Sequence, residues 1–257
     1  MLKVKFKLPT IKREAEMLTT FCKPSDTKWD WSNVVYKNHP ELRKTLKNKK
    51  PNEFYKYIYT YSNNFIKNNK QDLINSVKIY QKEWDKINNK YFKILSEHFE
   101  TDYPKNKKTI NAYVSIVPIF PRFLDEWGFN VSLKKPEIML PVSMHEILHF
   151  FYFKKWVEVF PKTRREELDF PFLVWKLSEI LDPIILNNNK DIQKLLAYKH
   201  NNYSEFQKVK IGEKTVVEHF DNLYKNHIKS DESFEKFLKI CWDEVKKNKK
   251  VIEHSKK

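Results

Sequence analysis

The chain has 257 residues, 40% of them apolar and 15% aromatic, which is enough to bury a core and excludes a disordered polymer. Only two glycines occur, so a glycine-rich phosphate loop and a dinucleotide fingerprint are excluded, and turns must lean on Asn, Asp and the twelve prolines. The net charge of +16 comes from lysines spread along the whole sequence, which reads as a solvated surface rather than a nucleic-acid groove.

In chain order, "LKVKFKL" at 2–8 alternates and predicts a short strand. The aromatic stretch "TKWDWSNVVY" at 27–36 is expected to pack on the main body. From Pro51 to Phe99 apolar residues recur at three- and four-residue steps, and Leu73, Val77, Tyr80, Trp84, Ile87, Tyr91 and Leu95 form one stripe, a helical core pattern. "TINAYVSIVPIFPR" at 109–122 is β-branched and near-alternating, with Pro118 and Pro121 ending it or holding it at an edge. "GFNVSL" at 128–133 predicts another strand, and "KKPE" a turn. "PVSMHEILHFFYF" at 141–153 opens a helix expected to reach Val159, stopped by Pro161 and apolar nearly all round, hence buried. "PFLVWKLSEILDPIILNN" at 171–188 is a second apolar helix, which Pro183 is expected to kink or end at Asp182. Residues 190–252 read as helical, and the basic tail is expected to fray. The expected class is α+β, predominantly helical, with a small sheet ahead of the 141–159 helix. The expected organisation is one unit: a helical part at 1–100, a core at 105–188 and a helical part at 190–257.

Three titratable groups interrupt the most apolar segment. His145 and His149 are four apart, so on a helix their Cβ atoms lie one turn apart on one face and two imidazoles can meet one ion. Glu146 sits beside that face, where it can reach a water on the ion but not serve as a ligand. This is the H-E-x-x-H arrangement of two ligands and a general base. Unpaired, these groups would cost several kcal/mol inside an apolar helix. A catalytic site needs a third protein ligand and one position for water. Positions 152 and 155 are Tyr and Lys, so a carboxylate further on is expected. Glu179 is that carboxylate: it stands among Trp175, Leu177, Ile180 and Leu181, whereas Glu158, Glu166, Glu167 and Asp169 have charged company. Asp182, three residues on, shares its face.

These residues resemble the gluzincins, the zincin metallopeptidases that bind zinc through the two histidines of H-E-x-x-H and a downstream glutamate. The resemblance covers about 110–188. It implies a zincin fold, a small twisted sheet with an active-site helix and a second helix bearing the glutamate. It also implies Zn²⁺ as cofactor and hydrolysis of a peptide or protein substrate, with Glu146 as general base. In that family an aspartate one turn past the glutamate orients a ligating histidine; Asp182 is similar but lies three residues on rather than four. The oxyanion would be stabilised by zinc and by a donor from the C-terminal half, with Tyr224 and His219 preferred over Tyr203 and His227. Substrate is expected to add to an edge strand, either "GFNVSL" or the end of "TINAYVSIV". Mn, Co or Ni would also suit such donors. A regulatory zincin-fold protein is the alternative, against which the intact Glu146 argues; a nucleic-acid-binding protein is less expected. Cys22 and Cys241 form no CxxC pair or disulfide framework. No apolar leader and no membrane-spanning run is visible, so the expected location is cytoplasmic, with no membrane partner.

Overall fold

The computed structural model describes residues 2–23, 30–133, 135–230 and 232–253. Expectations that fall on 24–29, Lys134 and 254–257 lie outside the described residues, among them part of "TKWDW", one residue of the "KKPE" turn and the last of the basic tail. In chain order, β1 (Lys3–Lys7), α1 (Ile11–Cys22), α2 (Ser32–Asn38), α3 (Pro40–Leu46), α4 (Phe54–Asn68), α5 (Lys70–Asp85) and α6 (Asn88–Phe99) precede β2 (Thr109–Ser115), β3 (Arg122–Phe123) and β4 (Gly128–Ser132). Then come α7 (Met139–Val159), α8 (Leu173–Asn188), α9 (Lys190–Leu195), α10 (Ser204–Lys208), the hairpin β5 (Lys210–Ile211) and β6 (Lys214–Thr215), α11 (Val216–His227), α12 (Phe234–Lys247) and α13 (Lys249–Glu253). The protein is mostly helical with a small mixed sheet, an α+β architecture. No helix among the described residues is long and apolar enough to cross a membrane.

The residues group into two compact units, 1–88 with 108–143, and 89–107 with 144–257. The first holds the sheet, in the order β1-β2-β4-β3, with β1 and β4 parallel to β2 and β3 antiparallel to β4. β1 alternates as its sequence requires: Val4 and Phe6 are buried, Lys3 and Lys5 exposed. β1 pairs with β2 along Thr109–Tyr113 and β4 along Asn111–Ser115, so β2 is an inner strand over Asn111–Tyr113. β3 covers β4 only at Gly128 and Phe129. Gly128 is needed there, because a Cβ would meet the Asn111 carbonyl oxygen and the Tyr113 ring at 3.0 Å. Gly212 turns the β5–β6 hairpin at φ +63°, and the other left-handed positions among the described residues fall to Glu100 and Trp127. Glu100 closes α6 where the Thr101 N–H reaches back to the Ser96 carbonyl (3.1 Å).

The expected stripe at 73–95 is broken between α5 and α6. Leu73, Tyr80 and Trp84 are buried in the first unit, Tyr91 and Leu95 in the second. In the second unit α8 is buried along nearly its whole length. Pro183 neither ends α8 nor keeps it from running on to Asn188. The segment expected to be helical throughout 190–252 instead contains an irregular loop at 196–203 and the β5–β6 hairpin.

One buried acid of the first unit predicts a pH signature. Glu14 on α1 accepts from Ser115 Oγ (2.9 Å) and from the Ile116 N–H (3.3 Å). Burial, only partly opposed by those bonds and by Arg13, raises its pKa to about 7. A carboxyl raised above its unfolded value gives up stability as pH climbs from about 4.5 to 7. Glu14→Gln is therefore expected to gain stability relative to wild type between pH 4.5 and pH 8, by roughly 1–3 kcal/mol. Urea denaturation of both proteins at the two pH values measures it.

Candidate metal centre

The second unit brings together the groups that the sequence singles out. α7 is apolar on every side, with Met144, Ile147, Leu148 and Phe150–Phe153 buried, so it packs as an interior helix. The Tyr91 hydroxyl donates to the Met144 carbonyl (2.6 Å) and fixes α6 against the start of the H-E-x-x-H turn. Four-residue spacing then sets His145 and His149 one turn apart, with their Nε2 atoms 3.0 Å from each other.

Glu179 enters from α8. Its Oε2 lies 3.5 Å from His145 Nε2 and its Oε1 3.3 Å from His149 Nε2. Donors about 2.0–2.2 Å from one tetrahedral ion stand about 3.3–3.6 Å apart. The three side chains have that spacing to within a few tenths of an ångström, and their ligand atoms all lie within 4.8 Å of one another. Among the described residues this is the group of three such donors able to hold a metal ion. A pair of imidazoles and a carboxylate fits zinc, and equally Mn, Co or Ni.

Asp182 stands behind His149. Its Oδ2 is 2.6 Å from His149 Nδ1, and both side chains are wholly buried. A carboxylate can only accept there, so the proton sits on Nδ1 and the lone pair of Nε2 faces Glu179. Three-residue spacing places Glu179 and Asp182 on one face of α8, one reaching the Nε2 side of the ring and the other the Nδ1 side. Burial raises the Asp182 pKa, and the His149 and His145 charges oppose it. Glu146 is buried on the adjoining face of α7 and is not one of the three clustered donors.

The other acids behave as their surroundings predict. Glu158 pairs with Lys154 and Thr101 Oγ1, Glu166 and Glu167 with Arg164, and Asp169 with Arg165. The donors preferred for the oxyanion lie elsewhere in the unit. His219 Nε2 contacts Glu244 Oε2 on α12 (3.2 Å), and Tyr224 packs among His98, His227 and Phe237. No described contact links either of them to the metal-ligand group.

The side chain that does stand at the site is His200, which sequence reasoning passed over. Its ring lies 6.4 Å from the His145 ring, nearly parallel at 17°, and against Tyr198 at 4.9 Å. Burial, and then the His145 charge, lower its pKa to about 3, so the ring is neutral. Among the described residues nothing hydrogen-bonds its ring nitrogens. The signal in "YKHNNYS" is faint: no periodicity marks it, and only the bracketing polar residues of a loop set it apart.

No family model, no curated protein and no solved structure matches the chain.

This geometry predicts one zinc per chain in untagged protein incubated with zinc. His145→Ala, His149→Ala and Glu179→Ala are each expected to leave the protein metal-poor at equal total zinc. Asp182→Asn keeps the ion at saturation with affinity lowered about 10–100-fold. Elemental analysis and competition with a chromogenic chelator read both effects. Stripping the metal is expected to lower the melting temperature, because zinc at about 100 times its Kd contributes about 2.7 kcal/mol.

Proposed function

We propose that the protein is a zinc-dependent peptidase of zincin-like fold, with His145, His149 and Glu179 as metal ligands and Glu146 as general base. The observation that carries the reading is the convergence of both Nε2 atoms and the Glu179 carboxylate at 3.0–3.5 Å, with Asp182 fixing the His149 tautomer. Three protein donors leave a coordination position for water, the arrangement of catalytic rather than closed structural sites.

The chemistry a bound zinc supplies is acidification of a coordinated water toward a pKa near 7 and polarisation of the scissile carbonyl. The chain's own groups account for the proton movements. Glu146 takes a proton from the attacking water as its oxygen bonds to the carbonyl carbon, then delivers that proton to the leaving nitrogen as the C–N bond breaks. Burial of Glu146 keeps bulk water from competing for that proton. Asp182 holds His149 in the tautomer that presents a lone pair. His200, neutral at working pH, donates one ring N–H to the carbonyl oxygen as negative charge develops on it, the role first assigned to Tyr224 or His219.

Two variants test the assignment on a fluorogenic peptide library. Glu146→Gln is expected to bind zinc like wild type and to lose hydrolysis; loss of zinc from this variant would contradict its role as base. His200→Ala is expected to keep zinc and to lower kcat about 10²–10³-fold, the usual cost of one oxyanion donor. A kcat within about threefold of wild type would remove His200 from the mechanism.

A further inference from the structure

Pro183 lies inside α8 and has no N–H to give to the Glu179 carbonyl four residues back. That carbonyl belongs to the residue whose side chain completes the metal-ligand group. The Asn202 amide lies across the gap, with Nδ2 2.9 Å from the Ile180 oxygen and 3.4 Å from the Glu179 oxygen. One turn beyond the proline, Asn187 clasps the same loop by both its backbone groups. The His200 N–H donates to Asn187 Oδ1 (2.8 Å), and Asn187 Nδ2 donates to the His200 carbonyl (2.8 Å). Gln193 Nε2 reaches the Tyr198 carbonyl (3.1 Å) and Gln207 Nε2 the Asn202 carbonyl (3.1 Å). Four side-chain amides thus satisfy backbone groups on or beside a stretch with no regular structure whose one buried residue is His200, which is what holding that residue in one conformation requires.

We infer that the 196–203 loop is a fixed bracket, and that Asn187 and Asn202 are positioning residues that hold His200 beside His145. The inference rests on the peptidase reading for the purpose of the bracket, not for its existence. Two bonds of Asn187 set the height of residue 200 on α8. The bond of Asn202 to the Ile180 carbonyl sets the loop's approach at the level of Glu179. Ligand and donor are therefore referenced to one short piece of helix, so the His200 ring keeps its place relative to the Glu179 carboxylate.

The test has two readouts. The first is labelling of His200 by diethyl pyrocarbonate, followed by peptide mass spectrometry on the full chain with and without zinc. Asn202→Ala and Asn187→Ala are each expected to speed labelling of His200 about tenfold or more, which corresponds to loop opening made easier by about 1.4 kcal/mol. Labelling rates equal to wild type in both variants would overturn the inference. The second is a double-mutant cycle on peptide hydrolysis. Asn202→Ala is expected to lower kcat about 10–100-fold, with KM within about threefold and zinc content unchanged. Combined with His200→Ala it is expected to add little further loss, because both variants remove the same function. Losses that multiply would mean that Asn202 supports the fold generally, against the inference. If Asn202→Ala does not fold, Asn187→Ala carries both readouts. If wild type hydrolyses no peptide while labelling still rises in the variants, the bracket stands and the peptidase reading falls.

Discussion

The contact between His149 Nδ1 and Asp182 Oδ2, at 2.6 Å with both side chains wholly buried, is the constraint on which the site depends. A carboxylate removed from water must find a cation or strong donors, or else take up a proton. The largest charge effects on Asp182 come from His149, His145 and Glu179. Glu179 and Glu146 are buried on the same pair of helices. Two imidazoles and three carboxylates are thus drawn from one pair of helices inside an apolar unit. A divalent cation between His145, His149 and Glu179 would add positive charge beside these acids, so electrostatics and ligand spacing support the same proposal. Lys176 lies one turn before Glu179 but turns away: its Nζ donates to the carbonyls of Ile252 (2.8 Å) and Glu253 (3.1 Å). The only lysine on α8 thereby ties α13 to that helix.

Much of this centre was legible in the sequence because helix geometry is periodic. Four-residue spacing put His145 and His149 on one face, and three-residue spacing did the same for Glu179 and Asp182. The company each acid keeps separated Glu179 from Glu158, Glu166, Glu167 and Asp169, since an acid among Leu and Ile must be buried with a partner while one among Lys and Arg is paired at the surface. The strands at Lys3–Lys7, Thr109–Ser115 and Gly128–Ser132 were visible for the matching reason, their β-branched or alternating pattern.

What the sequence did not reveal depends on contacts between distant residues. His200 sits in a loop with no period, and its placement follows from its own backbone hydrogen bonds with Asn187 and from the bond of its loop neighbour Asn202 to the Ile180 carbonyl, which no local pattern encodes. The same reason hid the grouping of the chain, where 89–107 joins 144–257 across an intervening segment that belongs to the other unit. Pro183 was misleading because its local preference is to break a helix, a cost of about 3 kcal/mol or more. Burial along nearly all of α8 overrides it, and the helix runs on to Asn188.

The exposure of the donor groups runs in one direction. The His149 side chain is 0% exposed and that of Glu179 4%, while that of His145 is 20% exposed. An ion held by the three would be closed off on the side of His149 and Asp182 and accessible on the side of His145. His200, itself buried, lies nearly parallel to the His145 ring at 6.4 Å. A structural metal site has no use for such a gradient, since four protein donors would close it all round. A hydrolytic site needs one wall that fixes the ligands and one opening through which a carbonyl can approach both the ion and a neutral N–H. The buried pair His149–Asp182 fits the wall, and His145 is the most exposed of the three donors. That asymmetry, more than the H-E-x-x-H spacing alone, favours a catalytic reading of the centre.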